Sequence, residues 1–311
     1  MNLFQSFTEF EALQESLRDA DVRMLLPSLE IPRWSIHHLE IGSIHIQVGS
    51  EGSGNIAEGS TSRDGWFFYN QTSGTWGSAN GQRMRSDSTV IVPPGSEFCF
   101  ACPQGKHNWY SVFVPSSVLF ATPGEVESIR SVENDLSRFR ICRLRHIQDL
   151  VERLQAVVMV EPAVLKAPSS VTAFQEEIRS TAIHHFSLGL EEPLQTEQPR
   201  KEVARMAVDL IDDDQDCSLT VATLAKRCNI SERSLRNSFY QWFGISPLQY
   251  LTLRRLHSAR RVLRSSSPDE VRVGQVGIAH GFWDLGRFAG RYRKLFGERP
   301  SETLRKPMGR N

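Results

Sequence analysis

The sequence has no excess of one charge sign, no long apolar run and no disulfide pattern, and each absence narrows the class of protein. Its 36 Lys and Arg balance its 36 Asp and Glu, so the average charge indicates no polyanionic partner. No apolar run approaches the roughly 18 residues that a membrane span needs, and the N-terminus lacks a basic-then-apolar signal. We therefore expect a cytoplasmic protein with no membrane partner.

The cysteines are few and scattered. An odd number, five, spread over Cys99, Cys102, Cys142, Cys217 and Cys228, does not form a disulfide framework and fits a reducing compartment. Cys99 and Cys102 form a lone C-x-x-C in an alternating, strand-like setting. Since no second pair completes a zinc site, we interpret them as small apolar strand residues. We predict no metal and no cofactor.

The motifs of common enzyme classes are also missing. The chain has no Gly-x-Ser-x-Gly elbow, no phosphate-binding loop, no His-Glu-x-x-His and no Cys-His pair at a useful spacing. We therefore predict that the protein is not an enzyme. A catalytic function remains an alternative of a different class, which turnover in a steady-state assay would support.

The zero net charge hides a strong asymmetry along the chain. From Ser218 to Lys306 there are seventeen Lys and Arg against six Asp and Glu, a local net charge of +11, and the rest carries −11. Such asymmetry is typical of proteins whose basic part meets nucleic acid. A generic basic surface is the alternative, and charge alone does not separate the two.

The first half of the chain indicates a β-rich domain. An apolar stripe from Phe4 to Leu17 predicts one short helix. From about Trp34, short segments alternate between apolar and polar residues, and glycines or Pro93-Pro94-Gly95 separate them. Seven or eight such strands predict a small antiparallel barrel or sandwich. Helical periodicity returns after Val114, which makes the fold class α+β.

Residues 191–200 lack periodicity and read as a linker. It would separate an N-terminal domain, residues 1–190, from an all-helical C-terminal domain, residues 201–306.

The C-terminal part contains two helix-turn-helix patterns in tandem. In the first, Thr220 and Ser231 are placed to cap two short helices that a turn at Asn229 separates. The second helix buries Leu235 and its apolar neighbours. Its outward residues suit the major groove, because Arg reads guanine and Asn reads adenine. These residues are Arg233, Arg236, Asn237 and Tyr240.

The second pattern begins at Val273, turns at Gly281 and restarts at Asp284. Its recognition helix, 285–295, has Phe288, Tyr292 and Leu295 as inward anchors. The basic residues left for DNA are Arg287, Arg291, Arg293 and Lys294. A long helix from Pro247 to Leu263 would separate the two patterns.

These residues resemble the DNA-binding domain of the AraC/XylS family of bacterial transcription regulators. The family pattern falls on Ile278-Ala279, Gly281-Phe282, Phe288, Tyr292, Phe296-Gly297 and Pro300, and the first unit fits through Leu224-Ala225, Ser231, Leu235, Phe239, Gly244 and Pro247. The match covers about the last hundred residues. The resemblance implies a regulator that binds double-stranded DNA, acts on RNA polymerase and more often activates than represses.

The resemblance also implies where each recognition helix contacts bases. In the first unit the family's positions fall on Arg233, Arg236 and Asn237. In the second they fall on Leu285, Gly286 and Gly290, which cannot donate bidentate hydrogen bonds. We therefore hypothesise that the first unit sets most base specificity, while the second relies on phosphates, DNA shape and Arg287 or Arg291.

The N-terminal half resembles the sensory and dimerisation halves of the same family, which are often cupin-like barrels. An unidentified small-molecule effector and a homodimer are therefore expected partners. The large aromatics that could line an effector pocket are Trp66, Phe68, Trp76, Phe98 and Trp109. The alternative is a constitutive regulator whose N-terminal domain serves only dimerisation or protein interaction.

Overall fold

The computed structural model describes residues 2–121, 139–143, 145–188, 198–214 and 216–306. Strands dominate the first of these ranges and helices the last. The strands are β1 (Asn2–Phe7), β2 (Ala20–Leu25), β3 (Trp34–Ile41), β4 (Ile44–Glu51), β5 (Asn55–Thr61), β6 (Gly65–Gly74), β7 (Ser78–Ala79), β8 (Gln82–Arg83), β9 (Ser88–Val92), β10 (Glu97–Cys102), β11 (His107–Pro115) and β12 (Arg140–Arg143).

The helices fall into two groups. The first contains α1 (Phe10–Ser16), α2 (Ser116–Leu119), α3 (His146–Val160), a 3-10 turn (Pro162–Lys166) and α4 (Pro168–Leu188). The second contains α5 (Gln198–Asp212), α6 (Val221–Arg227), α7 (Glu232–Phe243), α8 (Pro247–Ser265), α9 (Val273–Ala279), α10 (Leu285–Phe296) and α11 (Pro300–Arg305). Across the described ranges, none of these helices is both long and apolar enough to cross a bilayer.

The strands pair into two antiparallel sheets within the described part of the chain. One has the order β1-β3-β4-β11-β6-β9-β12 and the other β2-β5-β10-β7-β8. Each sheet keeps two edge strands, so the pairing does not close into a barrel. The expectation of a β-rich domain is confirmed, and of its two forms the structure has the open, two-sheet one.

The seven-stranded sheet buries different residues on its two faces, as strand geometry requires. On β6, Phe67 and Tyr69 point into the core shared with the five-stranded sheet. Their neighbours Trp66 and Phe68 belong to a second core, which the sheet forms with α3 and α4. Both faces of this sheet are therefore covered.

The predicted first helix is only half right. Residues Asn2–Phe7 form β1, which pairs with β3 from Asn2↔Leu39 to Phe7↔Trp34, and only Phe10–Ser16 is helical. Phe4 and Phe7 fit the helical spacing by coincidence. In the edge strand they lie on opposite faces, and only the face of Phe7 is partly buried. Helix α5 begins at Gln198, so three residues of the predicted linker are helical, while residues 189–197 lie outside the described part.

The two parts of the chain meet along one face of α8. The Tyr250 hydroxyl donates to Glu58 on β5 at 2.7 Å. Two helical turns after Tyr250, the backbone N–H of Leu26 donates to His257 Nε2 at 3.0 Å. Burial lowers the pKa of His257 to about 4, so its ring is neutral at pH 7 and can accept this bond.

Arg260 completes this seam. Its guanidinium is only 6% exposed and contacts two carboxylates at 2.6 Å, that of Glu11 on α1 and that of Glu298 after α10. It also lies 4.6 Å from the centre of the Phe296 ring. A single side chain thus joins α1 of the N-terminal part, α8 and the end of the second recognition helix.

We expect Arg260→Leu to lower the free energy of unfolding by about 2 kcal/mol, because two largely buried carboxylates lose a partner. Chemical denaturation of the full chain measures this change. Arg264 remains near Glu11 and Lys306 near Glu298, which keeps the loss below that of an isolated buried pair. Arg261→Leu, at the exposed neighbouring position, should leave stability nearly unchanged. Equal losses in the two variants would contradict the importance of this contact.

Candidate nucleic-acid interface

The first helix-turn-helix unit consists of α6 and α7 and has the capping that the sequence predicts. The backbone N–H of Thr223 donates to Thr220 Oγ1 at 3.1 Å, and that of Ser234 donates to Ser231 Oγ at 3.1 Å. Between the helices Asn229 has φ +54°, a conformation that Asn tolerates better than most residues. These local interactions set where the recognition helix α7 begins.

Helix α7 has a buried face and an exposed face. Leu235 and Phe239 are fully buried and Phe243 nearly so, and the rings of Phe239 and Phe243 pack against Tyr250 of α8. The four residues predicted to face DNA are all exposed, namely Arg233, Arg236, Asn237 and Tyr240. The predicted orientation of this helix therefore agrees with the structure.

The second unit consists of α9 and α10. Gly281 between them has φ +77°, and Asp284 Oδ1 accepts from the backbone N–H of Arg287 at 3.0 Å. Phe288 packs between Phe282 and Tyr292, with ring centres 5.0 and 5.8 Å apart. This buried aromatic row orients α10.

The predicted contact residues of α10 are likewise exposed, namely Leu285, Gly286, Arg287, Gly290, Arg291 and Lys294. Arg287 forms a solvent-exposed ion pair with Asp284 at 3.2 Å. Such a pair contributes little to stability, so its guanidinium can exchange Asp284 for a phosphate at small cost.

The two recognition helices differ at equivalent positions counted from their N-caps, Ser231 and Asp284. Where α7 has Arg233 and Asn237, α10 has Gly286 and Gly290. A Cβ at Gly290 would meet no atom within 4 Å, and one at Gly286 would only touch Asp284 Oδ1 at 3.4 Å. Packing within the chain therefore does not require either glycine.

Helix α8 is the strut between the units. Its 19 residues correspond to a length of about 28 Å at the standard helical rise, close to the roughly 34 Å of one duplex turn. Its apolar face, which includes Leu251, Leu256 and Leu263, is buried. The strut is thus a single helix that the core holds along one face.

The predicted effector-pocket residues do not come together. Phe98 and Trp109 line a cavity between the sheets, but this cavity has only about 40 Å³, room for about three water molecules. Trp66 and Phe68 lie in the other core, on the opposite face of the seven-stranded sheet, so they cannot line the same cavity as Phe98 and Trp109. Trp76 is half-buried and lines neither this cavity nor the next one.

A larger cavity, of about 310 Å³, lies between the two parts of the chain. Its walls include Arg23, Glu58 and Phe98 from the sheets and Lys201, Val208 and Trp242 from the helices. Of these wall residues the sequence analysis predicted only Phe98, because the others come from segments that are far apart in the sequence.

A buried polar cluster was also missed. Glu51 accepts from Trp109 Nε1 at 2.7 Å and from Asn55 Nδ2 at 2.6 Å, and His107 Nε2 lies 3.8 Å from Glu51. Burial lowers the pKa of His107, but the Glu51 carboxylate, Cys102 and the backbone of Gly105 together more than offset this, and the pKa rises to about 9. The described residues contain no group of three or more His, Cys, Asp or Glu arranged to hold a metal.

The chain is similar to known transcription regulators, with about 37% identity over about a third of its length. A family model described as a helix-turn-helix domain matches residues 224–306. The probable thc operon regulatory protein of Rhodococcus erythropolis is 37% identical over 103 residues, 33% of this chain and 31% of that protein. The XylDLEGF operon transcriptional activator of Pseudomonas putida is 37% identical over 98 residues, 32% of this chain and 30% of that protein.

This chain thus spans about a third of the length of these curated relatives. A crystal structure of the AraC-like transcriptional activator CuxR aligns with 90% of this chain and 100% of that one, at 14% identity and a TM-score of 0.43.

We expect Gly290→Ala to raise the free energy of unfolding by about 0.5–1 kcal/mol, because alanine favours the helix and its Cβ meets open space. Gly244→Ala is the matched control and should be destabilising. Gly244 has φ +69°, and its Cβ would lie 2.7 Å from Pro103 Cγ. Thermal and chemical unfolding of both variants test the pair. A destabilising Gly290→Ala would mean that the fold itself needs this glycine.

Proposed function

Through its C-terminal domain the chain is a member of the AraC/XylS family of transcriptional regulators, and we propose that it binds double-stranded DNA sequence-specifically to control transcription. One observation carries the proposal. Two N-capped recognition helices, α7 and α10, expose basic faces while buried aromatics hold them, and a single helix, α8, about 28 Å long, lies between the two units in the chain.

Electrostatics supports the affinity for DNA. Residues Ser218–Lys306 carry the +11 net charge, and many of their Arg and Lys side chains are exposed. Neutralising phosphates with such residues releases counterions, so affinity should fall steeply as salt rises. The balancing negative charge is in the remainder of the chain, which would repel the duplex instead of attracting it.

We propose that the two units divide the work of recognition. Arg233, Arg236 and Asn237 offer the donors and acceptors that distinguish base edges. Helix α10 offers Arg287, Arg291 and Lys294, which suit phosphates and set affinity and register. On this view the first unit decides most of the sequence preference.

We further propose activation, by contact with RNA polymerase in the cytoplasm, as the mode of action, with residues 1–190 as a regulatory and dimerisation domain and 201–306 as the DNA-binding domain. The names of the Pseudomonas putida relatives, transcriptional activators, support the sign of regulation.

An effector would act most directly in the cavity between the two parts of the chain. Its volume of about 310 Å³ is at the lower end of small-molecule sites, and a ligand there would contact both domains. The alternative, a constitutive regulator, draws support from the small inter-sheet cavity and from the ion pairs that already join the domains.

We expect Arg236→Ala to relax base preference at one or two positions of a randomised site, at a cost of about 1–3 kcal/mol per lost contact. Arg291→Ala should weaken binding to all sequences alike and reduce the salt slope by about one. Selection from a random library and titration at several salt concentrations measure both effects. If the two variants relaxed specificity equally, the division of work would be wrong.

Val208→Trp should fill much of the inter-domain cavity, because Val208 lies on its wall. We screen a metabolite library for compounds that shift the melting temperature of the full chain. A compound that acts in this cavity should lose its shift in Val208→Trp, which should still bind DNA. A shift that survives would locate the effector elsewhere, and a library without shifts would favour the constitutive alternative.

A further inference from the structure

Trp283 does not contribute to the buried core of the described residues. It immediately precedes the N-cap Asp284 and is 83% exposed. A hydrophobic residue at this position usually packs against the residue four places into the helix, here Phe288. That ring is already 1% exposed and covered by Phe282. In the first unit the equivalent residue, Ile230, is partly buried and packs against the core.

Leu285, the first residue of α10, packs against the fold on one side only. One side of it packs against α9, where a Cβ on Gly274 or Gly277 would meet its methyl groups at 3.2 and 3.0 Å. The other side leaves the residue 40% exposed. Trp283 and Leu285 thus form an apolar patch at the N-terminal end of the second recognition helix.

The surroundings of this patch indicate its occupant. Arg287, Arg291 and Lys294 are exposed along the same helix, so a polyanion is favoured over an apolar protein surface or a second copy of this basic domain. Because Gly286 and Gly290 have no side chains, the backbone of the helix can approach its partner closely, which is a common role of glycine.

The chemistry of the duplex then narrows the contact. Among the base edges of the major groove, the one apolar group is the C5-methyl of thymine. An apolar side chain that enters the groove gains nothing from the donors and acceptors of the other bases. A thymine methyl is the group that would reward burial of Leu285 and of the apolar part of the Trp283 ring, whose indole N–H can in addition donate to an acceptor on the DNA.

We propose that Trp283 and Leu285 are specificity-determining residues that read thymine methyl groups in the half-site under the second unit. This inference rests on the proposed function and modifies it: the second unit then contributes base preference through van der Waals contact, in addition to its phosphate contacts. Its half-site should contain at least one thymine that cannot be replaced without loss.

The experiment removes only the methyl group. A preferred site is first selected with the full-length protein, and the half-site whose preference Arg236→Ala leaves intact is assigned to the second unit. Each thymine there is then replaced by deoxyuridine, one at a time, and affinity is measured by fluorescence anisotropy at fixed salt. With the wild-type protein we expect about fourfold weaker binding at one or two positions, as burial of one methyl group predicts.

The variants identify the side chain. Trp283→Ala or Leu285→Ala should weaken binding to the thymine site and lose the sensitivity to deoxyuridine. Because Leu285 also packs against α9, Trp283→Ala is the safer variant for folding. Val160→Ala, which changes an 86% exposed residue of the N-terminal domain, is the control and should behave as the wild type.

Three results would overturn the inference. If no deoxyuridine replacement matters while Arg236→Ala still relaxes specificity and binding remains salt-dependent, methyl reading is wrong and the proposed function stands. If Trp283→Ala and Leu285→Ala weaken binding equally on thymine and deoxyuridine DNA, the patch contacts something other than the methyl. If the protein shows no sequence preference for any DNA, the proposed function fails and the inference fails with it.

Discussion

The guanidinium of Arg260 is the contact on which the arrangement of the molecule depends. It binds Glu11 of the N-terminal domain and Glu298 behind the second recognition helix, and it lies against Phe296. Buried charges are stable only when paired and hydrogen-bonded, so these three parts of the chain must keep their relative positions. Tyr250 and His257 extend the same seam along α8. Helix α8, which lies between the two helix-turn-helix units, therefore also provides the contacts that hold the N-terminal sheets.

This arrangement suggests how regulation can reach DNA without covering it. The recognition faces of α7 and α10 stay exposed while the N-terminal domain is docked. The C-terminal end of α7 nevertheless touches that domain, since Cys99 Sγ lies 3.7 Å from the carbonyl of Trp242. A shift of the sheets against α8 would break the buried ion pairs of the seam, so these contacts oppose it.

The two units show how one local design can be specialised. Both use a polar N-cap, an αL residue in the turn and a buried aromatic row, and so the fold of each depends on the same few interactions. Packing within the fold requires neither Gly286 nor Gly290, so the two recognition helices can differ at these outward positions. The result is a difference at two equivalent positions: α7 has Arg233 and Asn237 where α10 has Gly286 and Gly290.

Sequence by itself determined the elements whose causes are local. The caps at Thr220, Ser231 and Asp284, and the turns at Asn229 and Gly281, each follow from residues within one helical turn. Tertiary structure alone decided which face of β6 meets which core, because the phase of a strand depends on its neighbouring strands. For this reason the sequence could not separate Trp66 and Phe68 from Phe98 and Trp109, which lie on the other side of the sheet. Tertiary structure also decided that Phe4 belongs to a strand, and it assembled Arg260, Glu11 and Glu298 from three distant segments. Burial of a charge between such segments is a property of the packed molecule that no single stretch of sequence encodes.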